Sequence, residues 1–204
     1  MKRIRLTLFA IIALLAAACS SSKYVAESAP VINEITIVAP YSRVDVLENR
    51  TGKFFYSDSL SFVSEMVIGS TLETMGLPIV RVISVLGRSN QEALDQGYEA
   101  IADIQINKLE STRISSALQA FLSTYSTRYA LLTYAEGFVR SNPNVYLGDD
   151  QIRYASNIFM ALVDVRTGKI IYYNRSCPEE ADPVNGKAVS RRVKALAEGI
   201  NVVR

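Results

Sequence analysis

The stretch NIFMALVDVRTGKIIYYN, residues 157–174, decides the fold class. Within residues 157–165, the positions 158–163 all carry apolar side chains, which is typical of a strand that is buried on both faces in the middle of a sheet. Residues 166–169 (RTGK) have the composition of a tight turn, and residues 170–174 return as a second strand. The sequence therefore predicts that the chain forms an antiparallel hairpin inside a sheet.

The segments before this hairpin alternate between strand and helix patterns. Strands are predicted over residues 34–39, 79–86 and 101–109, and helices over residues 57–76 and 89–97. The first helix can begin at Ser57 or Asp58, and Gly76 ends it. A capping box formed by Ser89 and Glu92 opens the second. The order strand, helix, strand, helix, strand favours a parallel sheet with right-handed crossovers.

The remaining segments complete one domain. Residues 41–56 are predicted to be a polar loop, residues 111–127 a helix, and residues 128–140 a long strand with Gly137 as a bulge. A closing helix is predicted from Gly186 to about Gly199. Its apolar side chains Val189, Val193, Leu196 and Ile200 should face inward, and Lys187, Arg191, Arg192 and Lys194 mostly outward. We therefore expect a three-layer-like α/β domain with a mixed sheet, parallel in its first half and antiparallel in its final hairpin, and a C-terminal helix.

The N-terminus has the three parts of a secretory signal. Basic residues open the chain, an apolar run follows over residues 6–15, and small residues lead to Cys19. The apolar run is well short of the ~20 residues that a transmembrane helix needs. Residues 1–18 are therefore predicted to be a signal peptide, and residues 34–204 a single α/β domain.

Residues 15–19 (LAAAC) resemble a bacterial lipobox, with Ala16 where leucine is commonest. The resemblance implies lipid on the Cys19 sulfur, cleavage before Cys19 and acylation of the new amino group, so that several acyl chains anchor the protein. The alternative is an ordinary signal peptide whose removal leaves Cys19 as a thiol. Residues 19–33 are predicted to be a lipidated flexible tether.

The residues after Cys19 indicate where the protein is sorted. Ser20 stands where an aspartate would favour inner-membrane retention in enteric bacteria, which indicates the outer membrane. Residues 20–23 lack the acidic run that resembles a surface-export signal of Bacteroidota. The expected location is the outer membrane, lipid-anchored, with the periplasmic face favoured over the cell surface.

The composition excludes several function classes. The 22 Lys and Arg against 20 Asp and Glu give a net charge of +2, but Lys2, Arg3 and Arg5 belong to the signal peptide. The charge therefore gives no indication of nucleic-acid binding. The chain contains no histidine, which removes the commonest acid–base group and metal ligand. We expect neither a cofactor nor a metal, and no enzymatic activity.

Three groups of polar residues are candidates for chemical sites. Residues 167–169 lack the glycine spacing of a phosphate loop, so they are predicted to form a turn. The acidic residues at 149–150 and 179–182 lack the alternating spacing of a calcium loop. Asp164 and Glu136 are candidates for an acid–base pair, although capping of the hairpin is favoured for Asp164.

A row of basic side chains on the closing helix and the second cysteine each have two or more interpretations. Lys187, Arg191 and Lys194 share one helix face, which either contacts anionic headgroups or glycans or, as is commoner, faces solvent. Cys177 is favoured as a buried small hydrophobic residue. An intermolecular disulfide or a nucleophilic role are the alternatives, but no histidine is present to activate the thiol.

Several segments carry a resemblance to known envelope lipoproteins. Residues 100–104 (AIADI) and 162–170 (LVDVRTGKI) are similar to a strand start and a hairpin in the α/β domain of the curli-secretion lipoprotein and of lipoprotein activators of penicillin-binding proteins. Residues 128–141 (RYALLTYAEGFVRS) and 156–159 (SNIF) resemble envelope lipoproteins of Bacteroidota. The resemblance implies an α/β fold, and it supplies no catalytic or binding residue.

Two segments are candidate partner-binding sites. They comprise Phe54 and Phe55 in the predicted loop, and Ile114, Leu118, Phe121 and Leu122 in the predicted helix. The helical segment is either a core helix, which is favoured, or an amphipathic helix that binds a partner.

The expected function is that of a membrane-anchored periplasmic lipoprotein acting as a non-enzymatic binding or scaffold component of the cell envelope. Its expected partners are the membrane, through lipid on Cys19, and an envelope protein, with a second copy of the chain as a further candidate. The alternative function is a carboxylate-dependent enzyme that acts on envelope glycan or lipid.

Overall fold

The structure is a computed structural model that describes residues 22–27, 29–49, 51–84, 88–141, 152–178 and 180–200. The strands are β1 (Ser22–Val25), β2 (Ile35–Val38), β3 (Tyr41–Leu47), β4 (Phe54–Tyr56), β5 (Ile79–Ile83), β6 (Tyr129–Arg140), β7 (Tyr154–Asp164) and β8 (Lys169–Arg175). The helices are α1 (Asp58–Thr74), α2 (Arg88–Ala102), α3 (Ser116–Tyr125) and α4 (Gly186–Ala197), and a 3-10 turn at Ile106–Lys108 follows α2. The predicted signal peptide, Cys19, the acids at 149–150 and Glu179 lie outside the described residues.

These strands belong to one mixed sheet. From one edge the order is β1, β8, β7, β6, β2 and β5. β3 extends along β6 beyond the end of β2, and β4 pairs with β3. β2 runs parallel to β5 and β6, whereas β6, β7, β8 and β1 are successively antiparallel. The prediction of a sheet that is parallel at first and antiparallel at its end is confirmed.

The hairpin that decides the fold forms as predicted, and β7 lies in the middle of the sheet. Gly168 has a φ of 67°, a conformation that favours glycine. The Asp164 carboxylate accepts hydrogen bonds from the Arg166 amide at 3.0 Å and from the Arg128 guanidinium at 3.1 Å. Asp164 therefore caps the turn, as the sequence favoured.

Helices cover both faces of the sheet, as a three-layer-like domain requires. α1 and α4 pack on one face, where Ile68 and Val193 join apolar side chains of β2, β6 and β7 in one core. α2 and α3 pack on the other face, where Leu94 and Leu122 join a second core. Since successive side chains of a strand point to opposite faces, each central strand contributes to both cores.

The predicted third strand, residues 101–109, is wrong. These residues form the end of α2 and the 3-10 turn, and the third parallel strand is β6. The helical spacing continues past Gly97 through the buried side chains of Tyr98 and Ile101. Gly97 marks close packing instead of a helix end, because a Cβ atom there would lie 2.5 Å from Leu118 Cδ2.

The predicted loop over residues 41–56 is also wrong, because it contains β3 and β4. Ser42 is buried against α1, where its hydroxyl donates to the Ser64 hydroxyl, while Arg43 and Asp45 lie on the opposite face of the strand. The strand escaped prediction because a polar side chain with a buried hydrogen-bond partner occupies an inward position.

The flexible tether predicted for residues 19–33 is corrected for residues 22–33. Ser22–Val25 form the edge strand β1, which pairs with β8. Ile32 is buried in the core beneath α1 and α4, and Tyr24 packs against the other core. The domain therefore begins before residue 34, because these apolar side chains gain burial by joining the sheet.

Gly137 is not the predicted bulge. The register of β6 with β3 and with β7 continues through it without a shift. Instead, a Cβ atom at this position would lie 2.5 Å from the carbonyl oxygen of Ala155. Glycine therefore permits the close approach of β7.

α4 closes the domain, and the four side chains predicted to face inward are buried, three of them in α4 and Ile200 just after it. Arg192, which was expected to face mostly outward, is buried. Its guanidinium donates to the hydroxyls of Ser156 and Ser176 and to the carbonyl of Cys177. Arg192 therefore connects α4 to the ends of β7 and β8. Cys177 itself is half-buried, so its predicted burial is met only in part.

Candidate functional site

The residues predicted to bind a partner do not share one surface. In α3, Leu118 is only 1% exposed, and Phe121 and Leu122 are also buried in the core that α2 and α3 form with the sheet. Ile114 is half-buried and packs against the same core. Burial corrects the assignment of Leu118, Phe121 and Leu122 to a partner-binding surface, and α3 is the core helix that the sequence favoured.

Phe54 and Phe55, in contrast, are exposed. They lie in β4, a three-residue strand at the outer edge of β3, and Tyr56 beside them is exposed as well. Within the described chain, β4 pairs with β3 alone. Among the described residues, this edge of the sheet therefore presents aromatic side chains together with a strand edge that no other strand pairs with.

α1 packs on the face of β3 opposite to Arg43 and Asp45, and it adds exposed apolar side chains on the other side of the β4 edge. Phe62 is 60% exposed, and Val63 and Met66 are exposed as well. Residues three and four positions apart are neighbours on a helix, so these side chains form one patch. Six of the twelve large apolar side chains exposed in the described chain are therefore Phe54, Phe55, Tyr56, Phe62, Val63 and Met66. We call these six residues the 54–66 surface.

α1 exposes apolar side chains because it packs on β3 through small polar ones. The Ser61 hydroxyl accepts a hydrogen bond from the Val44 amide at 2.9 Å, and the Ser64 hydroxyl accepts one from Ser42 at 3.1 Å. These contacts satisfy polar groups that would otherwise be buried without partners. The apolar spacing in this helix predicted the helix, but it did not predict which face is buried.

A second candidate site is a cleft of about 360 Å³ beside β4. Strand register fixes its floor, since Glu136 in β6 lies beside Arg43 in β3 and Asn157 in β7. Side chains two residues apart share a face of a strand, so Tyr134 and Phe138 flank Glu136 on that face. The floor is therefore a carboxyl group between two aromatic rings, with a guanidinium on one side and an amide on the other.

Side chains from three other segments form the walls of the cleft. The Phe54 ring lies edge-on to the Phe138 ring, with 5.5 Å between centroids, and Pro178 lines the side next to β8. Asp45 lines the side next to β4, where its carboxylate is 3.8 Å from the Arg43 guanidinium. The cleft therefore contains two carboxyl groups and one cation.

A layer of stacked rings closes the cleft toward α2. Tyr134 stacks on Tyr41 and on Phe159, with centroids 5.8 Å and 5.7 Å apart. Tyr98 from α2 stacks on Tyr41 and donates its hydroxyl hydrogen to the Ala39 carbonyl at 2.6 Å. Rings from four elements, packed against one another, form a firm base for the cleft.

The cleft changes the proton affinity of Glu136. Burial raises the pKa of the Glu136 carboxyl above its usual range, a hydrogen bond from Tyr134 lowers it, Asp103 raises it and Arg43 lowers it. Burial also raises the pKa of Tyr134, so that its hydroxyl stays a donor. The ionised Glu136 is therefore incompletely solvated, and a donor that entered the cleft would stabilise it.

Glu136 and Asp164, the candidate acid–base pair, are not brought together. Asp164 pairs with Tyr129 and lies seven residues from Glu136 along the ladder, about 23 Å away at about 3.3 Å per residue. The carboxyl group that shares the cleft with Glu136 is Asp45, which sequence reasoning missed. Alternation in residues 41–47 (YSRVDVL) is the signal that could have placed Asp45 on a strand face.

A second concavity, a groove of about 600 Å³, runs along α4. Lys187, Arg191 and Lys194 line it and are exposed, as expected for a solvated face. Glu180 and Asp182 line it as well, so acids and bases nearly balance. Among the described residues, no group of three metal-ligating side chains occurs, and no helix is long and apolar enough to cross a bilayer.

No protein-family model matches the chain, and no curated protein matches it. The chain is similar to PelC of Paraburkholderia phytofirmans, solved as a dodecamer, with 10% identity and a TM-score of 0.44 over 91% of this chain and 99% of that chain. It is also similar to the LpoB C-terminal domain of Salmonella enterica (15% identity, TM-score 0.33, 73% and 84% covered) and to lipoprotein GNA1162 of Neisseria meningitidis (12%, 0.34, 83% and 99%). At these values the likeness carries no inference about function.

Proposed function

We propose that the protein is a lipid-anchored component of the cell envelope that binds another envelope protein through the 54–66 surface, without catalysing a reaction. The observation that supports this function is the concentration of six exposed large apolar side chains on one edge strand and the helix that follows it. Large contiguous apolar patches are rare on monomeric proteins and mark interaction sites.

The residue types of the 54–66 surface suit a protein partner. Aromatic residues and methionine are enriched in protein interfaces relative to the rest of a protein surface. Large rings such as those of Phe55 and Phe62 are the side chains that anchor such interfaces. The outer edge of β4 adds backbone donors and acceptors that a partner strand can use.

Cys19 provides the anchor in this proposal. The signal pattern over residues 1–18 and the lipobox-like residues before Cys19 support lipidation, and Ser20 supports sorting to the outer membrane with the domain on the periplasmic face. A membrane anchor raises the effective concentration of the domain near partners in the same envelope layer.

Replacing the anchor residue tests this part of the proposal. In cells, Cys19→Ala should move the protein from the membrane fraction to the soluble fraction, because its acyl chains are lost. Cys177→Ala is the matched control and should stay with the membrane. Recovery of Cys19→Ala with the membrane at high salt would contradict lipid anchoring.

Photocrosslinking in intact cells tests the binding surface. A photoreactive residue placed at Phe62 should capture an envelope protein, and the same residue at Val80, an exposed position on β5, should not. Phe55→Ser should reduce capture from position 62. Capture of a second copy of the chain would assign the surface to a homo-oligomer, and equal capture from both positions would contradict a specific site.

The cleft favours a second candidate function, which is acid–base catalysis on an envelope glycan or lipid. It holds the carboxyl groups of Asp45 and Glu136, and burial raises the pKa of Glu136 in the direction that a general acid requires. The Asp45 carboxylate is already paired with the Arg43 guanidinium at 3.8 Å, and for this reason we rank catalysis second. Hydrolysis of an isolated envelope glycan or lipid that is lost in both Glu136→Gln and Asp45→Asn would establish it.

A further inference from the structure

The cleft is continuous with the 54–66 surface through Phe54. Its ring forms one wall of the cleft beside Phe138, and yet 56% of the residue remains exposed. Phe54 and Tyr56 lie on the cleft side of β4, since Tyr56 pairs with Asp45, so a protein that covers these two rings passes over the mouth of the cleft. One of its side chains can enter the cleft without a change in the fold.

The charge of the floor selects the type of side chain that enters. The cleft is lined by Asp45, Glu136 and Arg43, so acids outnumber bases. Arg43 is directed toward Asp45, at 3.8 Å. An acidic side chain would meet like charge, and a purely apolar one would cover the half-buried Glu136 without compensating it. A cationic side chain avoids like charge and also compensates the Glu136 carboxylate.

The rings around Glu136 favour a cation for a separate reason. Tyr134 and Phe138 flank the carboxyl group on the same face of β6, and Phe54 faces Phe138 across the opening. Aromatic faces attract ammonium and guanidinium groups, and they also pack against the aliphatic stem that carries the charge. The carboxyl group and the rings therefore select the same ligand.

The crowding around Glu136 favours lysine over arginine. Arginine binds a carboxylate best through two parallel hydrogen bonds to both oxygens. Tyr134 and Phe138 flank Glu136 and Arg43 lies beside it, which leaves little room for such a two-point contact. A lysine ammonium is compact and binds as a point charge, so it can reach the carboxylate through a single contact.

We propose that the cleft binds a lysine side chain of the protein that covers the 54–66 surface. The ammonium group donates to Glu136, and the aliphatic stem packs between Phe54 and Phe138. A cleft of about 360 Å³ lies at the lower end of the range of about 300–1,000 Å³ found for ligand pockets, which suits a single side chain. This inference rests on the proposed function, because it takes the lysine to belong to the same partner.

Saturation-transfer NMR on the full-length protein in detergent tests the cleft without knowledge of the partner. The probe is N-acetyl-lysine N-methylamide, and its neutral analogue carries norleucine. The lysine probe should bind about tenfold more tightly than the norleucine analogue, since the analogue cannot make the charge-assisted hydrogen bond. Glu136→Gln should remove this preference, and Asp45→Asn should reduce it.

The control variant is Glu73→Gln, which removes an exposed carboxylate at the end of α1. It should leave the preference for the lysine probe unchanged, and circular dichroism should show the same fold for all three variants. Equal binding of the two probes, or a preference for lysine that survives Glu136→Gln, would overturn the proposal.

The crosslinking and NMR results can fail separately. If position 62 captures an envelope protein but the cleft does not prefer the lysine probe, the lysine site is wrong and the proposed function stands. If the cleft prefers the lysine probe but position 62 captures nothing, the proposed function and the protein origin of the lysine are overturned. If Glu136→Gln weakens both the binding of the probe and the capture of the partner, the proposal is supported.

Discussion

α3 and the segment that runs from β4 through α1 both carry bulky apolar side chains, yet one is covered and the other is open. α3 buries Leu118 and Leu122 between α2 and the sheet, whereas α1 leaves Phe62 exposed. The residues behind each helix account for the difference. α3 meets an apolar core, while α1 meets β3 through Ser61 and Ser64.

Apolar spacing in a sequence identifies side chains that gain free energy from burial, but it does not identify the element that buries them. In the covered region, the fold itself supplies the apolar neighbours. In the open region, which comprises the 54–66 surface and the cleft, Ser61 and Ser64 occupy the face of α1 that meets β3, so the apolar side chains around Phe62 stay exposed. Substitutions in the two regions should therefore have different consequences for stability.

The largest effect is expected from Leu118→Ala in the covered region. The side chain is 1% exposed, so its truncation should lower the free energy of unfolding by about 2–5 kcal/mol. Phe62→Ala, the matched truncation in the open region, should change it by less than about 0.5 kcal/mol. Urea denaturation followed by circular dichroism measures both, and equal losses would refute the contrast between the regions.

An intermediate and equal effect is expected at the starts of the two helices. The Ser115 hydroxyl accepts a hydrogen bond from the Leu118 amide at 3.2 Å, and the Ser57 hydroxyl accepts one from the Leu60 amide at 3.4 Å. Ser115→Ala and Ser57→Ala should each cost about 1 kcal/mol in urea denaturation, because each removes an N-cap. Threonine at either position should restore most of the loss. A much larger loss for one cap would show that the helices differ in more than the face they bury.

The smallest effect is expected at Glu136 in the open region, and it depends on pH. Because burial raises the folded-state pKa of Glu136 above its unfolded value, the ionised carboxyl destabilises the fold at neutral pH. This cost shrinks as the pH falls through the raised pKa, and it vanishes below the unfolded value of about 4.3. The charged groups that face Glu136 are Asp45, Arg43 and Asp103, with the Tyr134 hydroxyl as donor.

Glu136→Gln should therefore raise the melting temperature slightly at about pH 7 and lose this advantage toward about pH 4. The measurement is the difference in melting temperature between variant and parent across this range, with Glu73→Gln as the control for an exposed carboxylate. A melting temperature of the variant below that of the parent at about pH 7 would show instead that the fold stabilises the ionised form of Glu136.

Sequence patterns predicted the elements with a long, regular apolar pattern and missed those whose burial depends on contacts with distant segments. The hairpin of β7 and β8 follows from a continuous apolar run and a turn, and α4 follows from its regular apolar spacing. Residues 101–109 were misassigned, because alternation over a few positions competes with helical spacing that extends past Gly97. The strand β3 was missed, because buried Ser42 depends on a partner in α1 that no local pattern can show.

The candidate site was predictable only in part for the same reason. Phe54 and Phe55 are consecutive bulky apolar residues in a polar stretch, which a sequence reveals. The cleft depends on a register that places Arg43, Glu136 and Asn157 side by side from three strands, and that register is a property of the assembled sheet. The exposure of Phe62 on α1 likewise depends on which helix face meets β3.

The pairing of β1 with β8 places one edge of the sheet close to Cys19 in the chain. β1 begins three residues after Cys19, so at most about 10 Å of chain separates Cys19 from the sheet. β4 lies at the opposite edge, five strand spacings away across β8, β7, β6 and β3, a width of about 24 Å. With Cys19 lipidated as proposed, the anchor would lie beside the β1 edge and the 54–66 surface at the far side of the sheet, so a partner would reach that surface without contacting the bilayer.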